Sequence, residues 1–360
     1  MFLFFDPIAL ALMVLGYIVM FMLASTIAPK VAGRLSGAFS LYTSMALTLI
    51  LIILVFTGTL FGIVYAIQAW RGASISLSDP GIVTWFILPI MFFVIIANLF
   101  TYILSPLMIN LFYRATPDPR LQEIVNKVAS RLGVKPPKAV RVRGPPNAFA
   151  YGNIFLGRYV AVTEGMLELV DERELEAVIG HEIGHHKHRD NAIMLFLGIL
   201  PSVMYYLGVS LVHLGLWGGG SNRRNGSSPL ILVLVGIAAV IVSFVLQILI
   251  LAFSRLREYY ADLEGAKAAG RSAMQAALAK LHIFYRRNPE IHQSVGESKL
   301  RALFIYALTD AAAEPFYRVT RADIERIMRS QYSSIEEILA THPPIPKRLR
   351  FLENLTWVSP

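Results

Sequence analysis

The sequence holds 360 residues, 55% hydrophobic and 16% charged, with no cysteine, a mean hydropathy of +0.56 and a formal net charge of +9. A soluble domain carries about 25% charged residues, so much of this chain does not face water. The absence of cysteine excludes disulfides, thiolate ligands and cysteine nucleophiles, and the basic residues flank apolar runs instead of alternating with aromatics, which argues for anionic lipid headgroups and against nucleic acid.

The first run, 7–28, is apolar almost throughout and long enough to cross a bilayer. Asp6 precedes it and Lys30 and Arg34 follow it, the reverse of a cleaved signal peptide, so it reads as a retained transmembrane helix. Runs at 41–70 and 83–112 exceed the ~20 residues a span needs, and Trp70, Trp85 and Tyr113 mark their ends. Pro106 is a candidate kink in the third. Two more runs, 192–217 and 230–253, are joined by a Gly- and Asn-rich hairpin loop at 218–226. About five spans are expected. The charges of Lys30, Arg34 and the basic stretch 114–158 place that side in the cytoplasm and the N-terminus outside, with Arg71, Arg223 and Arg224 against the bias.

Between the third and fourth runs the pattern changes to that of a folded domain. Asp118 is placed to cap a helix with Pro119 in its first turn, an apolar stripe at Leu121, Ile124, Val128 and Leu132, and Gly133 at its end. A strand is expected over 139–143. Two apolar pieces, 153–156 and 159–163, read as paired strands turning at Gly157-Arg158. The stretch from Asn147 to Gly152 lies just before them. An exposed edge of such a sheet can bond an extended substrate, although on its own Asn147 reads as a turn cap.

Asp171, with Glu174 three positions later, forms a capping box for the helix that carries His181-Glu182-Ile183-Gly184-His185. Residues four apart lie one above the other on a helix, so His181 and His185 can meet one ion while Glu182 stands beside them. This is the zinc hydrolase pattern in which the carboxylate works as general base. His188 returns to the same face, but the position where a longer motif would need a third histidine is Asn191. His186 is expected at solvent or a helix partner, and His213, His282 and His292 in structural roles.

Ser254 to Asp262 reads as helix continuing from the fifth run, with Glu258 and Asp262 one turn apart. Two histidines and a water leave one protein ligand missing, which Glu258 can supply, while Asp262 can accept a hydrogen bond from the outer nitrogen of a ligand histidine. Further amphipathic helices are expected from Ser272 to about Tyr285, over 300–312, from Thr320 with Asp323, and from Ser333 with Glu336. The segment 292–299 is a candidate lid. Pro346 opens a last helix carrying Arg348.

Together, Asn147-Ala148-Phe149-Ala150, the His181–His185 motif, Ser254-Arg255-Leu256-Arg257-Glu258-Tyr259 through Asp262, and Thr341-His342-Pro343 resemble the HtpX family of integral-membrane zinc metallopeptidases, relatives of the CAAX prenyl endopeptidases. The resemblance implies a mainly α membrane protein with an α+β zincin-like (gluzincin-type) catalytic domain and a small β-sheet. It implies one Zn2+ held by His181, His185 and Glu258, with Glu182 as base. His342 and Arg348 would stabilise the oxyanion, Asp262 would orient a ligand, and Asn147 and Ala148 would belong to the substrate edge. It also implies cytoplasmic cleavage of misfolded or damaged membrane proteins, a CAAX-type endopeptidase or an inactive membrane scaffold being the alternatives. The family's usual two leading spans are three here. The expected organisation is a membrane region at 1–113, a peptidase domain in two parts at 114–191 and 254–360, and a transmembrane hairpin at 192–253 between them.

Overall fold

The computed structural model describes residues 11, 12, 14, 41–71, 83–217, 229–288, 319–330 and 342–355. In chain order the elements are α1 (Leu41–Arg71), a π-helical lead-in (Val83–Ile87), α2 (Leu88–Phe112), β1 (Thr116–Pro117), α3 (Pro119–Arg131), β2 (Lys138–Val142), β3 (Ala148–Asn153) and β4 (Gly157–Thr163). Then follow α4 (Glu164–Leu169), α5 (Glu172–Lys187), α6 (Asp190–Trp217), α7 (Leu230–Ala269), α8 (Arg271–Tyr285), α9 (Arg321–Arg329) and α10 (Ile345–Glu353). Helix and a small mixed sheet account for the fold class expected from the sequence.

Four helical stretches among the described residues are long and apolar enough to cross a membrane: Thr43–Gln68, Trp85–Phe112, Asp190–Trp217 and Leu230–Ala269. The expected span at 7–28 falls almost wholly outside the described residues, as do the loop 218–226, the candidate lid 292–299, and the helices expected over 300–312 and from Ser333. The chain divides into two compact units, residues 1–100 with 194–253, and residues 101–193 with 254–360.

Within the first unit, helices meet through glycine. A Cβ on Gly208 would stand 2.7 Å from the Gly236 carbonyl oxygen, and one on Gly236 would stand 2.6 Å from that of Gly208. Apolar helices gain nothing from hiding surface from lipid, so close backbone approach through small residues is how they find packing energy.

The second unit is built on the sheet, in the order β1-β2-β4-β3. β2 and β4 run parallel, from Lys138↔Tyr159 to Val142↔Thr163, and β3 returns antiparallel on β4, from Ala148↔Val162 to Asn153↔Gly157. β3 is therefore an edge strand. Alternation sends Ala139, Ala148, Val160 and Val162 to one face, against Val125 and Val128 of α3 and Ile179 and Ile183 of α5. Val140, Val142, Phe149, Tyr151 and Ala161 face the other way, against Ile109 and Tyr113 at the end of α2.

Local signals explain most of the boundaries. Asp118 accepts from Leu121 N at 3.1 Å, Pro119 occupies the first turn, and Gly133, at φ +67°, follows the end of α3. The Thr320–Asp323 box opens α9.

Two expectations are corrected. The first strand of the hairpin is Ala148–Asn153, not 153–156, because Asn153 Oδ1 accepts from Phe155 N at 3.0 Å and Leu156 N at 2.8 Å and folds those apolar residues into a turn. α8 is capped by Gly270, not Ser272: at φ +98° this glycine breaks the backbone right after α7, so the next helix starts at once.

Candidate metal centre

The motif helix α5 is fixed at its start. Glu174 N donates to Asp171 Oδ1 at 2.9 Å, and Glu174 Oε2 accepts from Asp171 N at 2.8 Å and from Lys280 of α8 at 2.6 Å. Its approach to the end of α7 is set by small residues. A Cβ on Gly180 would stand 2.5 Å from Ala268 Cβ, one on Gly184 would stand 3.2 Å from Ala261 Cα, and one on Gly265 would stand 2.7 Å from the Ala177 carbonyl oxygen. A side chain at Gly180 or Gly265 would push the two backbones apart, and one at Gly184 would crowd them; that contact sets the histidines of α5 against Glu258 of α7.

His181, His185 and Glu258 form a cluster whose ligand atoms all lie within 4.8 Å of one another. His181 Nε2 is 3.6 Å from Glu258 Oε2, and His185 Nε2 is 3.6 Å from Glu258 Oε1. Those spacings are too long for hydrogen bonds but close to the ~3.3–3.6 Å that separates ligand atoms around a tetrahedral ion with bonds of about 2.0–2.2 Å.

The outer nitrogens are held by carboxylates. His181 Nδ1 is 3.1 Å from Asp262 Oδ1, and His185 Nδ1 is 2.6 Å from Asp190 Oδ2. An ionised carboxylate only accepts, so each Nδ1 carries its proton and each Nε2 keeps a lone pair for an ion. The carboxylates are in turn held by arginines. Arg348 Nε donates to Asp262 Oδ2 at 2.8 Å, with a second short contact from Nη2 to Oδ1, and Arg257 Nη1 stands 3.0 Å from Asp190 Oδ2.

A divalent cation fits this set. His181 Nε2 and Glu258 Oε2 are buried without a hydrogen-bond partner of acceptable geometry. Three buried carboxylates, Asp190, Glu258 and Asp262, face two buried guanidinium groups, Arg257 and Arg348, which leaves a negative charge for the ion to cancel. The same field acts on His181: burial lowers its pKa, but the carboxylates of Asp262 and Glu258 beside it prevail and lift it to about 9, so an ion at Nε2 would take the place of a proton there.

Glu182 is 1% exposed, and its Oε1 likewise has no hydrogen-bond partner. His342 is partly open to solvent, with Nδ1 2.8 Å from Glu258 Oε2. Arg348 differs from the expectation of an oxyanion donor. It is fully buried and committed to Asp262, with Nη1 3.8 Å from Glu258, so it lies behind the ligands.

On the substrate side, Asn147 is buried and bonded through its backbone, since Thr163 N donates to Asn147 O at 2.9 Å and Asn147 N donates to Thr163 Oγ1 at 2.8 Å. That bond and the register fix the phase of β3: Phe149 and Tyr151 bond toward β4, while Ala148, Ala150 and Gly152 turn their backbone groups away from it. Gly152 O, facing outward, accepts from Asn191 Nδ2 at 3.3 Å.

The sequence reading missed Asp190, Arg257 and the glycine contact. The contact had a signal, Gly180 and Gly184 at helical spacing opposite Ala261, Gly265 and Ala268; Asp190 had none, since it reads as the start of a span. His186 does not meet solvent: it is buried, its Nε2 is 2.8 Å from the Tyr159 carbonyl of β4, and burial pushes its pKa down to about 4.

Residues 115–356 match the model of peptidase family M48. The chain is 59% identical to a protease HtpX homolog of Pyrobaculum aerophilum over 99% of both chains, and 54% identical to one of Archaeoglobus fulgidus over 98% of both. With a third, from Aeropyrum pernix, identity is 39% over 81% of this chain and 93% of that one. Among solved structures, Ste24p of S. mikatae aligns at a TM-score of 0.46 and 17% identity, over 87% of this chain and 66% of that one.

Proposed function

We propose that this chain, which belongs to peptidase family M48, is a zinc endopeptidase that cuts unfolded or damaged membrane proteins at the cytoplasmic face of the bilayer. Membership makes it a membrane metallopeptidase. The observation that supports zinc in this reading is the convergence of two imidazole nitrogens, each oriented by a carboxylate on its far side, with Glu258 on one point.

His181, His185 and Glu258 would hold the ion. When bound, zinc supplies a Lewis acid that polarises a carbonyl and makes a neighbouring water acidic near neutral pH. Glu182, buried beside the ligands with a free carboxylate oxygen, takes the proton of the attacking water and returns it to the leaving amine. His342, partly exposed at the rim, donates to the oxygen on which charge develops. Arg348 and Arg257 position Asp262 and Asp190 and so hold the two imidazoles in register. An extended peptide would pair with β3, the edge strand among the described residues, at Ala148 and Ala150 beyond Asn147.

The peptidase domain is read as 114–191 with 254–360, interrupted by the hairpin 192–253 after a leading membrane region, 1–113. The charges of Lys30, Arg34 and the stretch 114–158 support a cytoplasmic site and an outside N-terminus. The test is cleavage by the purified protein of an unfolded membrane protein and of a prenylated peptide, each with and without chelator. Chelator-sensitive cleavage of the first alone is expected; cleavage confined to the prenylated peptide would reject the proposed substrate class.

A further inference from the structure

The β3–β4 turn exposes three large apolar residues in a row: Ile154 is 78% exposed, Phe155 62% and Leu156 41%. This turn is tied down. Asn153 uses its oxygen to shape it and its Nδ2 to bond the carbonyls of Tyr102 at 2.8 Å and Ile103 at 3.1 Å, both in α2. Pro106 explains why a helix carbonyl is available there: in an unbroken helix Tyr102 O would accept from the amide four residues on, which proline lacks. Ser105 Oγ, at 2.9 Å, and Asn153 donate to it instead.

The position of that anchor along the span decides where the turn lies. The candidate span Trp85–Phe112 has 28 residues, a length of about 42 Å against a hydrocarbon core of about 30 Å, so at most about 12 Å of helix can project beyond the core. Ile103 is nine residues, about 13 Å, before the end at Phe112, and Tyr102 one residue further in. Even with all the excess at that end, the anchoring carbonyls lie at or inside the hydrocarbon boundary. A lipid-exposed backbone carbonyl must find a donor, and here the hairpin brings it. On the other flank, exposed Arg158 follows Gly157, with a stem long enough to reach headgroup phosphates.

We propose that Ile154-Phe155-Leu156 is a lip of the peptidase unit inserted into the bilayer, with lipid acyl chains as its contact. β3 runs from Ala148 down to this lip. Resting on the peptidase reading above, a membrane-embedded substrate that pairs with the β3 edge passes along the lip directly from lipid.

The chain has no cysteine, so a nitroxide on Phe155→Cys reports from one site. The protein is reconstituted in phosphatidylcholine–phosphatidylglycerol vesicles, with labels at Phe92→Cys in the second described span and at exposed Lys135→Cys as references. The proposal expects Phe155→Cys to collide with oxygen in preference to a water-soluble nickel chelate, as Phe92→Cys does; nickel accessibility like that of Lys135→Cys overturns it. This readout is independent of catalysis. For the passage of substrate, Ile154→Ser/Phe155→Ser/Leu156→Ser should lose cleavage of a membrane-anchored protein and keep cleavage of soluble casein, and equal retention or equal loss of both overturns that part.

Discussion

Asp190 Oδ2 receives His185 Nδ1 at 2.6 Å while Arg257 Nη1 stands 3.0 Å from the same oxygen, which repeats around His185 the arrangement that Asp262 and Arg348 make around His181. Each imidazole is thus held from behind by a carboxylate that is itself held by a buried guanidinium. Removing such a carboxylate costs about 10–100-fold in metal affinity. Asp190→Asn should show that loss in a zinc competition titration while the fold stays intact, and an unchanged affinity would remove Asp190 from the site.

Asp262→Asn is a harsher change than Asp190→Asn, because it leaves Arg348, with no exposed surface, only the more distant Glu258 at 3.8 Å as a counter-charge. Breaking a buried pair from one side costs about 3–5 kcal/mol. Thermal unfolding of the metal-free proteins should rank Asp262→Asn well below Asp190→Asn, with Asp262→Asn/Arg348→Met recovering part of the loss. Equal melting temperatures for the two single variants would contradict the buried pair.

Glu182→Gln should keep its zinc, since Glu182 is no ligand, and lose cleavage by about 10²–10⁴-fold, the usual worth of a positioned base. Glu258→Ala should behave oppositely and lose the metal itself. Elemental analysis beside a casein assay separates the two, and a Glu182→Gln enzyme that cleaves at the wild-type rate would reject the proton-transfer role.

Gly180→Ala sets a methyl 2.5 Å from Ala268 Cβ, and overpacking of this kind costs about 1–3 kcal/mol. The expected result is a lower melting temperature with weaker metal binding, relieved in part by adding Ala268→Gly. A Gly180→Ala protein as stable and as active as wild type would show that the α5–α7 contact is looser than described.

The sequence made the chemistry legible and left much of its support hidden. The spacing of His181 and His185 and of Glu258 and Asp262 needs only helix geometry, and capping boxes such as Asp171–Glu174 are local. Asp190 faces His185 because the chain turns between α5 and α6, with Arg189 at φ +57°, and nothing in an apolar run announces that. Arg348 could not be placed behind the ligands without the packing of α10. From sequence the first strand of the hairpin is expected at 153–156 and not at Ala148–Asn153 because Ile154 to Leu156 are as apolar as a strand, whereas the Asn153 side chain folds them into an exposed turn.

Glu353 provides a pH signature remote from the metal. Hydrogen bonds from Arg321 and Gln275 hold its pKa down at about 2. A depressed carboxylate stabilises the fold above its unfolded pKa of about 4.3 and loses that contribution as pH falls toward the folded value. The pair is partly exposed, so the effect is at most about 1 kcal/mol. Wild type should therefore melt slightly above Glu353→Gln at pH 6, with the gap closing between about pH 4.5 and pH 2; a gap that widens on acidification would contradict the assignment.

The central claim is that His181, His185 and Glu258 hold one catalytic zinc. The most direct measurement is zinc per chain in the purified protein, followed by cleavage of an unfolded membrane protein after chelation and after zinc is restored. One zinc per chain, activity lost on chelation and regained with zinc, and no zinc in His181→Ala is the predicted result. Full cleavage by zinc-free protein, or a full complement of zinc in His181→Ala, would contradict it.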